Sequence, residues 1–464
     1  MTLATMCIAT FVAILDTTVV NLGLHAIQTN LHVSVTVLQW VLDVYNLVYA
    51  GFILTGGVLG DIFGRRRIFV IGIALFTLGS VVCGVAPNPA VLILGRGISG
   101  LGAALQLPGA LSILAVTFRD ARERARAIAI WGGFNGLAMA VGPTTGGLLV
   151  DYFGWRSIFY LVVPFGIAAL VMAFAGVEES SDPEGRRIDL PGQTFSIIAL
   201  ALLAIACIEA PIVGWRSPLI LAAFGGSAVS AVVLLRIESR TPGALLSLSA
   251  FRNPVFATSI CLAAMMTFGF YTLLFIFPLF LQQVRGNSAV GAGLKLLPLS
   301  LTFFFLSPLA GPLLHRIGAR ALIASGMGLF GAGLWALALV SRFGFWSMVP
   351  ALIAIGLGNA LIFGPIMTVA VSNVGNERSG MSSGLVNVAR MVGATLAVAI
   401  PGSIFGSQIG QAAHDTARFV AGMHKAFWIA GADEVFGGII GLLFLRSMLQ
   451  EQKQASREDS RQAA

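Results

Sequence analysis

Gly57-Val58-Leu59-Gly60-Asp61-Ile62-Phe63-Gly64-Arg65-Arg66-Arg67 closes the second of fourteen apolar stretches, each near the length of a membrane crossing. A hydrocarbon core about 30 Å thick needs roughly 20 apolar residues per helix, and a turn followed by three arginines is where such a helix leaves it. The chain therefore reads as an all-α polytopic membrane protein with fourteen transmembrane helices. The spans are expected near 5–27, 38–60, 68–86, 91–118, 125–150, 156–177, 194–210, 217–236, 255–282, 290–314, 321–341, 346–370, 384–408 and 424–445. The seventh is the shortest.

Composition supports this reading. Hydrophobic residues make up 57% of 464 positions and charged residues 10%, with a mean hydropathy of +0.90. No soluble surface tolerates that balance. The first span carries Asp16 and runs past the length of a signal-peptide core, so it reads as helix 1. Cys7, Cys83, Cys207 and Cys261 all fall inside spans, without metal-ligand or loop-disulfide spacing.

The net charge of +8 follows from orientation rather than from a nucleic-acid partner. With the N-terminus in the cytoplasm, nineteen of the 28 basic residues fall on the inner side, among them Arg65–Arg67, Arg119, Arg186, Arg187, Arg252, Arg320, Arg378 and the tail from Arg446 to Arg461. The positive-inside bias then puts both termini in the cytoplasm of a bacterial-type inner membrane.

The longest polar interruptions, Glu178–Gln193 and Arg236–Asn253, divide the chain into an N-terminal half (1–177), an inserted helix pair with its loops (178–253), a C-terminal half (254–445) and a tail (446–464). The six-helix halves repeat. Gly57, Leu59, Gly64 and Arg66 return as Gly311, Leu313, Gly318 and Arg320, with His315 in place of Asp61, and Gly100-Leu-Gly-Ala-Ala-Leu returns as Gly356-Leu-Gly-Asn-Ala-Leu. Duplicated six-helix halves are a transporter signature, with substrate bound near the midplane between them.

Four motifs in order give the chain a family resemblance. Leu15-Asp16-Thr17-Thr18-Val19-Val20-Asn21 lies in helix 1, the Gly57–Arg67 run between helices 2 and 3, and Arg96-Gly-Ile-Ser-Gly100-Leu-Gly102 in helix 4. Helix 5 carries Gly132, Gly133, Gly136 and Gly142-Pro143-Thr144-Thr145-Gly146-Gly147. Together they resemble the fourteen-helix drug:proton antiporter branch of the major facilitator superfamily, over essentially the whole chain. The resemblance implies that the Gly57, Asp61, Gly64, Arg65 and Arg66 motif latches one access state, and that the Gly142, Pro143, Gly146 and Gly147 motif marks an antiporter.

Ionisable groups inside the spans are the candidates for chemistry, because a charge at membrane depth needs a cavity or a partner. Asp16, with Thr17 and Asn21 beside it, is expected near the midplane as a cation-attracting or protonatable group; a helix–helix hydrogen-bond node is the plainer reading. Gln39, Asp43 and Asn46 share one face of helix 2. Asp43 and Arg96 lie at similar depth, so an Asp43–Arg96 pair that opens and closes could couple a proton to transport, and a static ion pair is the alternative. Asp61 is placed to accept from a helix N-terminus or to pair with an arginine such as Arg119. Arg390 sits where it could snorkel to the inner face, as a structural residue. Glu209 reads as structural or interfacial. Asp433 and Glu434, in mid-span 14, depart from the apolar pattern of a peripheral helix and mark either a substrate-specific feature or a route to water. Met265, Met266, Phe268, Phe270, Phe275 and Phe277 suit an adaptable greasy cavity.

No Walker loop or HExxH-type spacing occurs, so no nucleotide, metal or cofactor is expected. The expected function is a monomeric, proton-driven antiporter that exports small hydrophobic or amphipathic molecules such as drugs, cations included. Export of a lipid or an endogenous metabolite is the alternative within transport, and a polytopic membrane enzyme or sensor the alternative outside it.

Overall fold

The computed structural model describes residues 1–182, 189–240, 250–373, 379–409 and 415–445, apart from the side chains of 121, 125, 379–381 and 409. Arg186, Arg187, Arg378 and the tail from Arg446 to Arg461 lie outside the described residues. Fourteen long helices follow one another: α1 Thr2–Leu31, α2 Val35–Phe63, α3 Arg65–Gly84, α4 Pro89–Thr117 and α5 Ala121–Phe153, then α6 Ser157–Gly176. The inserted pair is α7 Leu190–Val213 and α8 Pro218–Arg240. The last six are α9 Pro254–Val284, α10 Ala289–Ile317, α11 Ala319–Val340, α12 Phe345–Ser372, α13 Ser379–Ile409 and α14 Thr416–Phe444. No strand occurs among the described residues.

All fourteen sequence spans are helical, and the deviations are at their ends. Seven runs 24 residues rather than a short crossing, because Asp189 caps Gly192 N and starts the helix before the apolar run. The helix of span 14 begins at Thr416, with Asp415 capping Ala417 N and Arg418 N, and its first two turns mix Thr416 and Arg418 with Phe419 and Val420, so the start lies ahead of the run expected from 424. Among the described residues, thirteen helices are long and apolar enough to cross a membrane, and α5 is the exception. Its middle is diluted by Asn135, Gly136, Gly142, Pro143, Thr144, Thr145, Gly146 and Gly147.

Those small residues serve packing. A Cβ at Gly146 would meet the Val19 backbone of α1 at 3.0 Å, and one at Gly147 would press within 2.7 Å of Val290 on α10. The antiporter motif thus lets α5 lie flush on α1 and, across the halves, on α10.

The repeat in the sequence is a repeat in the packing. Gly100 abuts the Tyr45 carbonyl of α2, and Gly356 abuts the Leu299 carbonyl of α10. Gly102 abuts Gly72 and Phe76 of α3, and Gly358 abuts Gly326 and Phe330 of α11. Gly64 (φ 109°) ends α2 and Gly318 (φ 83°) ends α10, both in the positive-φ region that glycine adopts without strain. In both halves the first helix packs on the fifth, the second on the fourth and the third on the fourth. Across the halves α5 packs on α10 and α2 on α13. The inserted α7 lies outside the second of these seams, touching both α2 and α13, with α8 against it.

Candidate functional site

Between the halves lies a cavity of about 2580 Å³, lined by α1, α2, α4 and α5 on one side and α9, α10, α12 and α13 on the other. It reaches the end of the bundle that carries Asp61, Arg65, Arg124, Glu238 and Arg252. Thr17, Trp131, Phe270, Tyr271, Phe303 and Phe363 line its depth.

The opposite end is tied shut by bonds between the halves. The Asp151 carboxylate of α5 accepts from Ala289 N and Val290 N, both at 2.9 Å, so an acid faces the positive N-terminus of α10. Gln282 donates to the Leu22 carbonyl at 3.2 Å, Gln283 to Gln28 at 2.8 Å and Gln39 to the Val398 carbonyl at 2.7 Å. The charged mouth of the cavity is at the other end.

The intramembrane charges are arranged differently from the expectation. Arg96 donates to Asp16 at 2.6 Å, and its Nε to the Val41 carbonyl at 3.1 Å. Its guanidinium lies over the Tyr45 ring, 4.4 Å from the centroid. The partner of Arg96 is thus Asp16 and not Asp43. Depth counted along each helix places backbones and not side-chain ends: Asp16 lies deeper from the closed end of α1 than Arg96 does from the start of α4 at Pro89, and the long arginine side chain bridges the offset. Asp16 is 3% exposed; its neighbours Thr17 and Thr18, rather than Asp16 itself, line the cavity. Asn21 turns its amide back onto the Thr17 carbonyl.

Asp43 is fully buried and forms no ion pair among the described residues. Its face of α2 looks away from the cavity towards α7 and α13. There Trp40 donates to Glu209 at 2.7 Å, Ser403 donates to the Cys207 carbonyl at 2.6 Å, and Gln193 bonds both Thr55 and the Gly51 carbonyl. Glu209 is therefore a docking residue of the inserted pair.

At the open end Arg65 of α3 closes on Asp61 at 2.8 Å, one turn along. The N-terminus of α3 is capped by Glu179, which accepts from Arg66 N at 3.0 Å and Arg67 N at 3.1 Å. The segment after α6 also bonds Asp61 and Arg65 through the backbone, Asp182 N to Asp61 O and Arg65 N to Ser180 O, both at 2.8 Å. The motif is held by the segment that leads to the inserted pair, which its own sequence does not announce.

Arg390 does not snorkel. It is 7% exposed, its Nη2 donates to the Phe363 carbonyl at 2.7 Å and its guanidinium stacks 4.1 Å from the Phe363 ring, on the cavity wall. Asp433 and Glu434 do not reach the cavity. Glu434 is fully buried where α14 meets Gly269 of α9 and Gly331 of α11, with no hydrogen-bond partner for either carboxylate oxygen. Tyr45, Tyr49, Tyr271 and Asn359 were not singled out by sequence, although Asn359 is the polar residue that replaces Ala103 in the repeated glycine motif. That departure was the available signal.

Comparison with known proteins agrees with this geometry. The Major Facilitator Superfamily profile matches residues 6–398. Multidrug resistance protein Stp of Mycobacterium tuberculosis is 40% identical over 394 residues, covering 85% of this chain and 73% of that protein. The Methylenomycin A resistance protein of Bacillus subtilis is 33% identical over 437 residues, covering 93% and 91%. In fold, the chain is similar to a POT family transporter solved in complex with 5-aminolevulinic acid, with a TM-score of 0.69 at 14% identity and 95% of each chain covered. Two repeated six-helix halves around a one-sided cavity, the ordered motifs and a profile match across most of the sequence lead to one conclusion: the chain belongs to the Major Facilitator Superfamily.

Proposed function

We propose that the chain is a proton-driven exporter of small hydrophobic or amphipathic compounds, drugs and antibiotics among them, working as a monomer in a bacterial inner membrane. The one-sided cavity between repeated halves carries this reading. A chamber open at one end and hydrogen-bonded shut at the other is half of an alternating-access cycle. With the arginine-rich end in the cytoplasm, as the positive-inside bias requires, the chamber faces the side from which an exporter loads. The resistance proteins similar over most of their length support the substrate class.

In this reading Asp16 and Arg96 brace α1 against α4, and Asp43, a buried acid without a cation, exchanges the proton. Gly57, Asp61, Gly64, Arg65 and Arg66 form the latch that Glu179 secures. The decisive assay is substrate-induced proton release in proteoliposomes. Asp43→Asn is expected to retain downhill exchange and to lose accumulation against a gradient. Wild-type accumulation by that variant at the wild-type proton stoichiometry would remove Asp43 from the coupling.

One observation favours an amphiphile drawn from the membrane. Phe305 lines the cavity and is 66% exposed, so the chamber borders the lipid-facing surface of α10. A lipid cargo would appear in the same assay as movement of a labelled phospholipid.

A further inference from the structure

Among the described residues, six charged ones line the cavity: Asp61, Arg65, Arg124, Glu238, Arg252 and Arg390. The first five belong to the open end, on the last turn of α2, the first of α3, the start of α5, the last turn of α8 and the approach to α9. Arg390 stands apart, about three turns into α13. The acid that would balance it from the other half, Asp16, is already bonded to Arg96 and set behind Tyr45. The fixed charge in the depth of the chamber is therefore positive.

Arg390 is also incompletely satisfied. One nitrogen serves the Phe363 carbonyl, Nε has no hydrogen-bond partner, and no carboxylate pairs with the guanidinium among the described residues. Beside it the cavity offers neutral polar groups, Tyr49, Tyr271, Asn387 and Asn359, the last with an unpartnered Oδ1. A cation nine-tenths buried at membrane depth without a counter-ion is costly to hold. A planar anion entering the chamber relieves that cost, and the guanidinium fork matches a carboxylate.

Resting on the exporter reading, we propose that Arg390 is the specificity-determining residue of the cavity and selects hydrophobic molecules that bear an anionic head, a carboxylate being the simplest. This reverses the expectation, drawn from Asp16, that cations are favoured. Aromatic side chains Phe270, Phe303 and Phe363 take the apolar body of the molecule while Arg390 takes its charge.

The test uses the full chain in lipid nanodiscs, with binding to empty nanodiscs subtracted, and three probes of one shape: 2-naphthoate, its methyl ester and 2-naphthylmethylammonium. The wild type should bind 2-naphthoate about tenfold or more tighter than the ester, with the ammonium weakest. Arg390→Gln should erase the preference while ester binding stays within about threefold, and Arg390→Lys should keep part of it. Equal binding of the three probes by the wild type, a preference for the ammonium, or a preference that survives Arg390→Gln would overturn the proposal. Should Arg390→Gln not fold, the wild-type ratio and the lysine variant decide. Gradient-driven movement of the same probes in proteoliposomes tests the exporter reading separately. Absence of all movement with the binding preference intact would sink that reading and leave the selectivity of Arg390 standing.

Discussion

The two halves share their glycines and not their charges. Gly100 and Gly356, Gly102 and Gly358, and Gly64 and Gly318 hold matching places against matching helices. The N-terminal half, however, buries a closed Asp16–Arg96 pair, whereas the C-terminal half buries Arg390 and Glu434, neither in an ion pair among the described residues. Backbone contact leaves no alternative to glycine, so those positions must repeat for the folds to match. Charges answer to what each half does in the cycle, and they are free to differ.

The largest effects should follow from breaking what is shared. A side chain at Gly102 or Gly358 would drive into the backbone of the neighbouring helix, so Gly102→Val and Gly358→Val should each cost at least ~3 kcal/mol or prevent folding, seen as loss of the monodisperse peak in detergent. Gly132 and Gly364 lie inside helices with nothing within 4 Å, and alanine there should leave the unfolding midpoint unchanged or raise it. Equal penalties at all four sites would mean that glycine is needed for something other than contact.

Next in size is the charge that is not shared. Asp16→Asn strands a buried arginine and should destabilise by about 3–5 kcal/mol in thermal unfolding, with a double-mutant cycle through Arg96→Gln recovering part of the loss. Glu434 has no partner to strand. Glu434→Gln preserves its shape and should shift stability by less than ~1 kcal/mol. If the two variants cost the same, the contrast between a closed pair and an unpaired acid is mistaken.

The smallest expected effect is at the tied end. Asp151→Ala removes the acceptor at the N-terminus of α10 and should weaken closure by ~1 kcal/mol, about a fivefold shift towards opening. Distances between spin labels at Thr29 and Arg342, both exposed, would report it.

Most of the fold was legible because bilayer crossing imposes a length and an apolarity that the chain cannot hide. The helix ends were less so. Asp189 and Asp415 start helices ahead of the apolar runs, and a cap is one hydrogen-bonding residue against a signal averaged over many. The glycine repeat was readable for the same reason that it is structural, since a close approach tolerates only one residue type. The candidate site was legible as a set of intramembrane charges and not as a pairing. Whether Arg96 meets Asp16 or Asp43 depends on the offset between helix ends, which depth counting does not contain. Arg390 looked like a snorkelling residue because its sequence position gives distance from the membrane face and says nothing of the Phe363 carbonyl waiting on α12.

The inserted helix α7 rests on both α2 and α13, bonded to one through Trp40 and Glu209 and to the other through Ser403 and the Cys207 carbonyl. These two helices belong to opposite halves, and in the proposed alternating-access cycle they slide past each other. A strut fastened to both sides of a sliding joint has to let go of one. The inserted pair would then act as a brake shoe. Leu219, Leu221, Val229, Val232 and Leu235 leave the outer flank of α8 exposed, so such a brake shoe should make turnover respond to bilayer stiffness.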